Sequence, residues 1–419
     1  MRYEETLAWL YGLEAKRGMD FRLERLGPVL ALLDHPERAF PSIHVAGTNG
    51  KGSTAAMLHS IYTHGGFRAG LYTSPHLISF RERVRVGDEM ISEERVVETV
   101  DAVRSAMDEA GVELTFFEIV TIAAFLEFRA LDVDLAVIEV GLGGRLDATN
   151  VVRTVAAVIT SVALDHERYL GKALADVAFE KVGIVRGNVP VVTGDLPEDA
   201  LAVVAERVAQ TGSRWLAYGK DFGPSNHIRP DGLSRGGLLG EHQTKNAGVA
   251  LAVVAALDET FSVEPMAIVR GLAATRWPGR LEIIEHEPRI ILDAAHNPEA
   301  AVALRDTLVD LKGGCPRVLV FGVMADKDWR EMLCTLLPVF DHVVLVPVDN
   351  PRSLDPRAPH DLATGLRPCD VAASAANGLR LAESIAGRTG TIVVTGSIFL
   401  VAELYRLCGG AEDPFANAR

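Results

Sequence analysis

The chain has 419 residues, which is too long for one ordinary hydrophobic core, so we expect at least two domains. Its composition, 48% apolar and 23% charged, is typical of a globular protein and excludes an intrinsically disordered one. The net charge of −14 argues against a nucleic acid or an anionic membrane as the main partner, so any affinity for phosphate must be local.

The N-terminal stretch Met1–Gly18 predicts an amphipathic helix. Glu4 and Glu5 stand where a signal peptide would carry basic residues, and the apolar run is short and interrupted. No apolar run along the chain approaches the roughly 20 residues of a membrane span. The four cysteines show no C-x-x-C spacing, and we expect buried thiols. Together these features favour a cytoplasmic protein.

Apolar, β-branched runs alternate with segments of helical periodicity, which is typical of parallel sheets flanked by helices. The first series of predicted strands comprises Ser42–Ala46, Ala69–Tyr72, Asp134–Val140, Val155–Ser161 and Val189–Thr193. A Gly- and Pro-rich surface excursion over Asp221–Gly240 follows. The second series comprises Arg289–Leu292, Arg317–Phe321, His342–Val346 and Thr391–Thr395. Pro278, Gly279 and Pro288 punctuate the chain between the two series, so the domain junction is placed at Arg276–Pro288.

The segment His44–Thr54, HVAGTNGKGST, joins the first strand to a segment of helical periodicity. A strand that runs through a glycine-rich turn into a helix presents backbone N–H groups to an anion. Lys51 can then reach terminal phosphate oxygens, and Ser53 or Thr54 can bond a phosphate or a metal. The spacing departs from the strict G-x-x-x-x-G-K-[ST] pattern, so a glycine-rich turn with an exposed lysine stays open as the alternative.

The second strand is followed by Ser74-Pro75, which leaves Ser74 at the carboxyl edge where ligands bind in open α/β sheets. Beyond it, Arg81, Arg83 and Arg85 alternate along the chain. By itself this alternation favours a solvated face of an edge strand.

The third strand carries Glu139 inside an apolar run, where a buried carboxylate needs a cationic partner such as a metal ion. Asp147 lies in the loop that follows. The fourth strand leads to Asp165 and His166, and a lone histidine there is more often structural than functional. Because four strand ends carry Lys, Ser, Glu and His, hard oxygen ligands with a phosphate indicate magnesium rather than zinc.

Eight stretches in order carry a family resemblance: HVAGTNGKGST, YTSPHL, IEVGLGGRLDATN, ALDH, EKVGIVR, WPGRLE, LDAAHNP and VTGSIFLVAE. Together they resemble the folylpolyglutamate synthase and dihydrofolate synthase family, a branch of the Mur-ligase-type amide ligases, from Asp20 to Glu403. The resemblance implies a P-loop-containing parallel-sheet ATPase domain, residues 1–282, followed by a smaller Rossmann-like α/β domain, residues 283–419. It also implies ATP and Mg²⁺ as cofactors.

The implied reaction joins the α-amine of L-glutamate to a carboxylate of a pterin substrate. That carboxylate lies on dihydropteroate for the first activity and is the γ-carboxylate of a reduced folate for the second. ATP would convert it to an acyl phosphate, from which the amine displaces phosphate, so catalysis is mostly positioning and charge neutralisation. We therefore expect small-molecule substrates, no nucleic-acid or membrane partner, and a monomer.

The resemblance also assigns roles to single residues. The phosphate loop would be Gly50, Lys51, Gly52, Ser53 and Thr54, and further nucleotide contacts would be Asn246, Arg280 and Asp293. Magnesium ligands would be Ser74, Glu139, His166 and Lys181, the last as a carbamate. His296 and Ser397 are placed near the incoming glutamate, and the expected catalytic residues are Lys51, His166, Lys181 and His296. Because Arg280 and Asp293 flank the junction, ATP would be gripped between the domains.

Three segments match the pterin-binding elements of bifunctional members. The matching residues are Asp20 and Leu23, then Thr115, Phe117 and Glu118, then Leu146, Asp147 and Ala148. Arg22 replaces the small residue that the family usually has in the first segment. Phe117, whose ring is available for stacking, is the best single pterin contact.

Two other classes of function remain open alternatives. A P-loop NTPase that couples hydrolysis to conformational change would share the Lys51 loop but would not need LDAAHNP on a second domain. A non-catalytic nucleotide-binding protein would tolerate the loss of Ser74, Glu139 or His166, and all three are present. For Lys181 the residues alone favour a salt bridge to Asp165 or Glu139, whereas the resemblance favours the carbamate.

Overall fold

The computed structural model of the chain describes residues 2–17, 22–223, 237–284, 287–311, 313–409 and 413–415. Asp20 and most of the predicted excursion, 224–236, lie outside these residues. The chain divides into two compact units. The first is Met1–His76, Phe80–Gly237 and Lys245–Thr275, and the second is Leu77–Ser79, Leu238–Thr244 and Arg276–Arg419. Within the described parts, no helix combines the length and the apolar character needed to cross a bilayer.

The first unit is built on one mixed sheet. Its strands, as far as the structure describes the chain, are β1 (Pro41–Ala46), β2 (Ala69–Tyr72), β3 (Val84–Val86), β4 (Glu89–Met90), β5 (Leu135–Glu139), β6 (Arg153–Ile159), β7 (Val191–Thr193) and β8 (Trp215–Ala217). The strand order is β4-β3-β2-β5-β1-β6-β7-β8. The β3 and β4 strands pair antiparallel and the others parallel, which confirms the predicted parallel core.

Helices flank this sheet. They are α1 (Tyr3–Arg17), α2 (Leu26–Leu32), α3 (Lys51–His64), α4 (Glu93–Ala110), α5 (Phe116–Ala130), α6 (Glu167–Leu170), α7 (Leu174–Val182), α8 (Glu198–Thr211), α9 (Glu241–Ala256) and α10 (Pro265–Ala274). Every residue of β5 is buried. A parallel strand that is covered on both faces has a continuous apolar sequence, and for this reason β5 could be predicted from the sequence.

The second unit has a sheet of its own. Its described strands are β9 (Glu282–Ile284), β10 (Arg289–Leu292), β11 (Arg317–Phe321), β12 (His342–Leu345), β13 (Cys369–Val371) and β14 (Thr391–Thr395), in the order β13-β12-β11-β14-β10-β9. Only β9 pairs antiparallel among them. The helices are α11 (Pro298–Asp310), α12 (Trp329–Leu336), α13 (His360–Thr364), α14 (Ala375–Ala386) and α15 (Ile398–Leu407).

Two expectations from the sequence were wrong. Arg83 and Arg85 are not solvated, since their exposed fractions are 7% and 8%. The Arg83 guanidinium packs over the rings of Phe80 and Phe116, at 5.9 and 5.2 Å from their centroids, so aromatic surface replaces water around this cation.

The prediction that the four cysteine thiols are buried was also wrong. Cys315 and Cys334 are exposed, and Cys369 and Cys408 are partly buried. Cys315 precedes β11 and Cys334 lies on the exposed side of α12, whereas Cys369 and Cys408 pack partly against the hydrophobic cores of the second unit. All four are free thiols in the structure.

Candidate active site at the strand ends

Four neighbouring parallel strands of the first unit, in the order β2-β5-β1-β6, end at the same edge of the sheet. The phosphate loop follows β1, Ser74 follows β2, and Glu139 is the last residue of β5. In the register of the sheet Glu139 lies beside Val45, and Ile138 lies beside Tyr72. The structure therefore brings together the strand ends that the sequence singled out.

The phosphate loop runs from β1 directly into α3. Gly50 caps the helix with φ of +81°, a conformation that glycine adopts without strain, and its carbonyl accepts a hydrogen bond from Thr54 N–H at 2.9 Å. The Lys51 ammonium donates to the carbonyls of Gly47 and Thr48 at 2.9 and 3.1 Å. This is the strand, turn and helix arrangement that favours a bound phosphate.

Ser53 and Thr54 lie on the first turn of α3, and both are buried, with exposed fractions of 3% and 0%. The Thr54 hydroxyl has no hydrogen-bond partner among the described residues. Gly52, between them and Lys51, is half-buried. The positions of Ser53 and Thr54 place both hydroxyl groups directly after the glycine-rich turn, on the first turn of the helix that follows it.

The chain beyond β6 holds the phosphate loop through hydrogen bonds, a feature that was not predicted from the sequence. Thr160 Oγ1 donates to Asn49 O at 2.6 Å, and Asn49 N–H donates to Ser161 Oγ at 2.9 Å. A Cβ on Gly47 would lie 1.9 Å from Thr160 Oγ1, so only glycine fits there. The segment TSVALDH could have indicated this, because hydroxyl residues follow an apolar strand directly.

Asn246, on α9, approaches the same loop. A Cβ on Gly50 would lie 2.5 Å from Asn246 Oδ1. Its side chain is 9% exposed. The nucleotide contact expected for Asn246 therefore has a geometric basis within the first unit.

Ser74 and Glu139 are joined directly, since Ser74 N–H donates to Glu139 Oε2 at 3.0 Å. Glu139 is 5% exposed. Among the described residues no three His, Cys, Asp or Glu side chains cluster as a metal cage. Magnesium takes few protein carboxylates and fills its sphere with phosphate oxygens and water, so one buried carboxylate with a hydroxyl beside a phosphate loop fits it.

Lys181 is buried on α7, with an exposed fraction of 3%. Burial and, to a smaller extent, the nearby Lys51 ammonium lower its pKa to about 7, and Asp165 opposes both. Neither Asp165 nor Glu139 forms an ion pair with it in the part of the chain that the structure describes. The salt bridge favoured by the residues alone is therefore not what the structure shows.

His166 lies in the loop after β6 rather than at the strand end itself, because β6 stops at Ile159. It has φ of +53°, caps the short α6, and donates its backbone N–H to Asp165 Oδ1 at 2.8 Å. Its side chain is 37% exposed. The imidazole is accessible to solvent, as a ligand for a metal or a substrate must be.

The predicted pterin segments meet around α5. Thr115 caps this helix and forms a capping box with Glu118. Both Glu118 oxygens also accept hydrogen bonds from Arg25, each at 2.8 Å, and the pair is buried. Arg25 belongs to the 3₁₀ helix Leu23–Arg25, whose preceding residue is the exposed Arg22. Arg25 is not among the residues predicted from the sequence, although it lies two residues after Leu23.

Phe117 is half-buried and lies 6.1 Å from the ring of Tyr72, between ring centroids. A Cβ on Gly141 would lie 2.5 Å from Cζ of its ring, so the tip of the ring contacts the turn after β5. In that turn Asp147 is buried, Leu146 half-buried and Ala148 buried. Burial raises the pKa of Asp147, and hydrogen bonds from Thr149 and Leu142 oppose the rise.

In the second unit the adjacent parallel strands β10 and β14 also end together. Asp293 accepts from Leu281 N–H at 3.0 Å and from Ala295 N–H at 2.9 Å, and burial raises its pKa while Arg280 opposes the rise. His296 Nδ1 lies 3.0 Å from Ala294 O. Ser397, after β14, caps α15 by accepting from Phe399 N–H at 3.2 Å. These residues form a second group of polar side chains.

Two family descriptions match the chain. Residues 45–254 match the Mur ligase middle domain, and residues 279–398 match the Mur ligase glutamate ligase domain. The first covers the strand ends with the phosphate loop. The second covers the strand ends with Asp293, His296 and Ser397, which a P-loop NTPase without ligase activity would not need.

Individual proteins agree with the family descriptions. A folylpolyglutamate synthase of Lacticaseibacillus casei is 39% identical over 84% of this chain and 87% of its own. The structure of E. coli FolC in complex with DHPP and ADP superposes with a TM-score of 0.87, at 31% identity, over 96% of this chain and 97% of that one. Mycobacterium tuberculosis folylpolyglutamate synthase complexed with ADP gives 0.89, at 33% identity, over 97% and 99%.

Proposed function

The chain belongs to the folylpolyglutamate synthase and dihydrofolate synthase family. On that basis we propose that residues at its strand ends catalyse the ATP-dependent ligation of L-glutamate to a pterin carboxylate. The pterin substrate is dihydropteroate, a reduced folate, or both. The observation that carries the proposal is the phosphate loop beside the buried Glu139 on neighbouring strands. That arrangement offers a site for a triphosphate and its divalent cation.

The reaction has two steps. A carboxylate oxygen of the pterin substrate attacks the γ-phosphorus of ATP, and ADP leaves. The glutamate α-amine then attacks the acyl carbon, and the C–O bond to phosphate breaks. Lys51 and the N–H groups of the loop neutralise charge on the phosphates, and the fold positions the reactants, so no covalent enzyme intermediate is needed.

Ser74, Glu139, His166 and a carbamylated Lys181 are the residues proposed to hold magnesium. The bound metal supplies positive charge to the phosphate oxygens during transfer. Thr54, Ser53, Gly52 and Gly50 complete the phosphate loop, and Asn246 contacts the nucleotide from α9. Arg280 and Asp293 are proposed as further nucleotide contacts.

The pterin is proposed to bind near Leu23, Thr115, Phe117, Leu146 and Ala148, with the Phe117 ring stacked on it. The direct hydrogen bonds of Glu118 and Asp147 go to protein groups, so these two carboxylates support the site by holding its segments. His296 and Ser397 are proposed to receive the glutamate in the second unit.

The proposal extends to the domain boundary, the oligomeric state and the cellular location. The domains divide at residues 282 and 283, which the change of compact unit at Arg276 supports. The protein acts as a monomer. It works in the cytoplasm, where its four free thiols would persist unpaired.

The proposal is tested by following the phosphate released from Mg-ATP. Sustained release should require both L-glutamate and a pterin carboxylate, supplied as dihydropteroate or tetrahydrofolate in separate reactions. Omission of either should stop turnover. Sustained release from ATP alone would favour a P-loop NTPase and overturn the proposal.

A further inference from the structure

A chain of three buried polar side chains connects β1 with the loop after β5. His44 Nε2 lies 2.8 Å from Thr149 Oγ1, and Thr149 Oγ1 donates to Asp147 Oδ1 at 2.5 Å. The exposed fractions of His44, Thr149 and Asp147 are 0%, 0% and 5%. None of the expected roles used His44 or Thr149.

The number of protons in this chain determines the tautomer of His44. Thr149 has a single hydroxyl proton, and it is committed to the Asp147 carboxylate. The His44 nitrogen that faces Thr149 must therefore carry the proton and donate it. His44 is then neutral, with Nε2 protonated and Nδ1 bare, and Nδ1 has no hydrogen-bond partner among the described residues.

The reverse arrangement is disfavoured by the surrounding donors. It would require a protonated Asp147 that donates to Thr149, and it would leave a buried Nδ1–H of His44 without an acceptor. Asp147 also accepts from Leu142 N–H at 2.9 Å and from Thr149 N–H at 3.0 Å. Two backbone donors favour the ionised carboxylate. His44 therefore donates to Thr149, and Thr149 donates to Asp147.

The Asp147 carboxylate holds the turn on which the pterin side of the site depends. Through Leu142 N–H it fixes the Gly141–Leu142 turn, and the Phe117 ring packs against Gly141. The residue after Thr149 has a different partner, because Arg186 donates to Asn150 O and Asn150 Oδ1 at 2.6 and 2.8 Å. His44 and Arg186 thus contact neighbouring positions of the loop, and only the contact of His44 leads through Asp147 to the Gly141–Leu142 turn.

We infer that His44 is a positioning residue for pterin binding. Its Nε2–H orients the Thr149 hydroxyl, which orients Asp147, which sets the turn beneath Phe117. The identity of the ligand in this inference rests on the proposed function. The hydrogen-bond chain from His44 to Asp147 does not depend on the proposed function.

The first test is the tautomer of His44 in the full-length protein. Long-range ¹H–¹⁵N spectra of ¹⁵N-histidine-labelled protein, assigned with His44→Gln, should show Nε2 protonated and Nδ1 unprotonated near neutral pH. In Thr149→Val the signals of His44 should shift. A protonated Nδ1, or an imidazolium, would overturn the inference whatever substrates the enzyme uses.

The second test is steady-state kinetics with Mg-ATP, L-glutamate and dihydropteroate or tetrahydrofolate. His44→Leu and Thr149→Val should each raise KM for the pterin about tenfold, the loss expected for a hydrogen bond that supports a buried carboxylate, and leave KM for ATP within about twofold. His44→Gln and Thr149→Ser keep the amide donor and the hydroxyl, and they should restore KM for the pterin.

His59→Leu is the matched control. His59 is also buried, at 3% exposed, but it lies on α3 and has no link to the loop at 141–150. It should lower thermal stability without raising KM for the pterin. A folded His44→Leu with unchanged pterin KM, or with ATP KM raised equally, would overturn the positioning role alone. Failure of the wild-type enzyme with both pterins would instead overturn the proposed function, and with it the ligand assigned to this loop.

Discussion

Lys51 places its ammonium against the carbonyls of Gly47 and Thr48, at the mouth of the helix that follows the phosphate loop. Its side chain is half-buried and fills no core volume. Lys51→Ala should therefore leave the fold intact and lower kcat/KM by about a hundredfold to a thousandfold, because a charge that neutralises phosphate is lost. Circular dichroism and the phosphate-release assay measure the two effects.

Lys220→Ala, at an exposed lysine of the same unit, is the control and should have no effect on activity. Near-normal turnover by a folded Lys51→Ala variant would contradict the nucleotide role of the loop.

Lys181 combines deep burial with a pKa lowered to about 7 and no carboxylate ion pair among the residues described. A neutral amine reacts with carbon dioxide, and the resulting carbamate offers oxygen ligands to magnesium. Because the pKa is lowered, the amine is neutral above about pH 7 and charged below it. Activity should therefore fall as the pH drops through that value, and removal of bicarbonate should lower it at constant pH.

Lys181→Ala should lose activity, and acetate or formate should restore part of it by occupying the vacated space. Chloride at the same ionic strength is the control and should restore none. Full activity in bicarbonate-free buffer, together with an unmodified lysine in a metal-bound crystal structure, would refute the carbamate.

The turn that opens α3 depends on glycine for space as well as for conformation. Gly50 has φ of +81°, and an added Cβ would meet Asn246 Oδ1 at 2.5 Å. Gly66, just beyond the same helix, has φ of +88° with nothing within 4 Å of a Cβ. Both alanine variants should lose about 1 kcal/mol of stability from the left-handed backbone.

Only Gly50→Ala should also weaken nucleotide binding, because it displaces Asn246 from the loop. Isothermal titration with ADP separates the two variants. Equal ADP affinity for Gly50→Ala and Gly66→Ala would show that Asn246 does not need its present position.

The segment Leu23–Arg25 is joined to α5 by the buried pair of Arg25 and Glu118, whose side chains are 13% and 5% exposed. Glu118→Gln would leave the guanidinium without its charged partner and should lower the free energy of unfolding by about 3 kcal/mol. Asp195→Asn breaks the exposed pair with Lys245 and should cost under about 1 kcal/mol. Urea denaturation of both variants checks this, and equal losses would contradict the importance of burial.

At the scale of the whole molecule, the sequence predicted the long buried strands well. The predicted bounds of β2, β10, β11 and β14 agree with the structure, because such strands are continuous apolar runs. Five short strands, β3, β4, β8, β9 and β13, were missed. They lie at or next to sheet edges, and two or three residues carry too little periodicity to be seen in one sequence.

The candidate site was predictable where the chemistry follows a strand end, as for Lys51, Ser74 and Glu139. Contacts between segments far apart in sequence were not. Arg25 reaches Glu118 across 93 positions, and His44 reaches Thr149 across 105, so neither pair leaves a local pattern. The solvation of Arg83 was misjudged for the same reason, since the aromatic rings that cover it depend on the tertiary fold.

The identity of the ligation product tests the central claim most directly. The enzyme is supplied with Mg-ATP, L-glutamate and either dihydropteroate or tetrahydrofolate, and the products are identified by mass spectrometry. We predict, for at least one of the two substrates, a pterin product heavier by one glutamyl residue, formed in equal amount to ADP and phosphate. Consumption of ATP without any glutamylated pterin would contradict it.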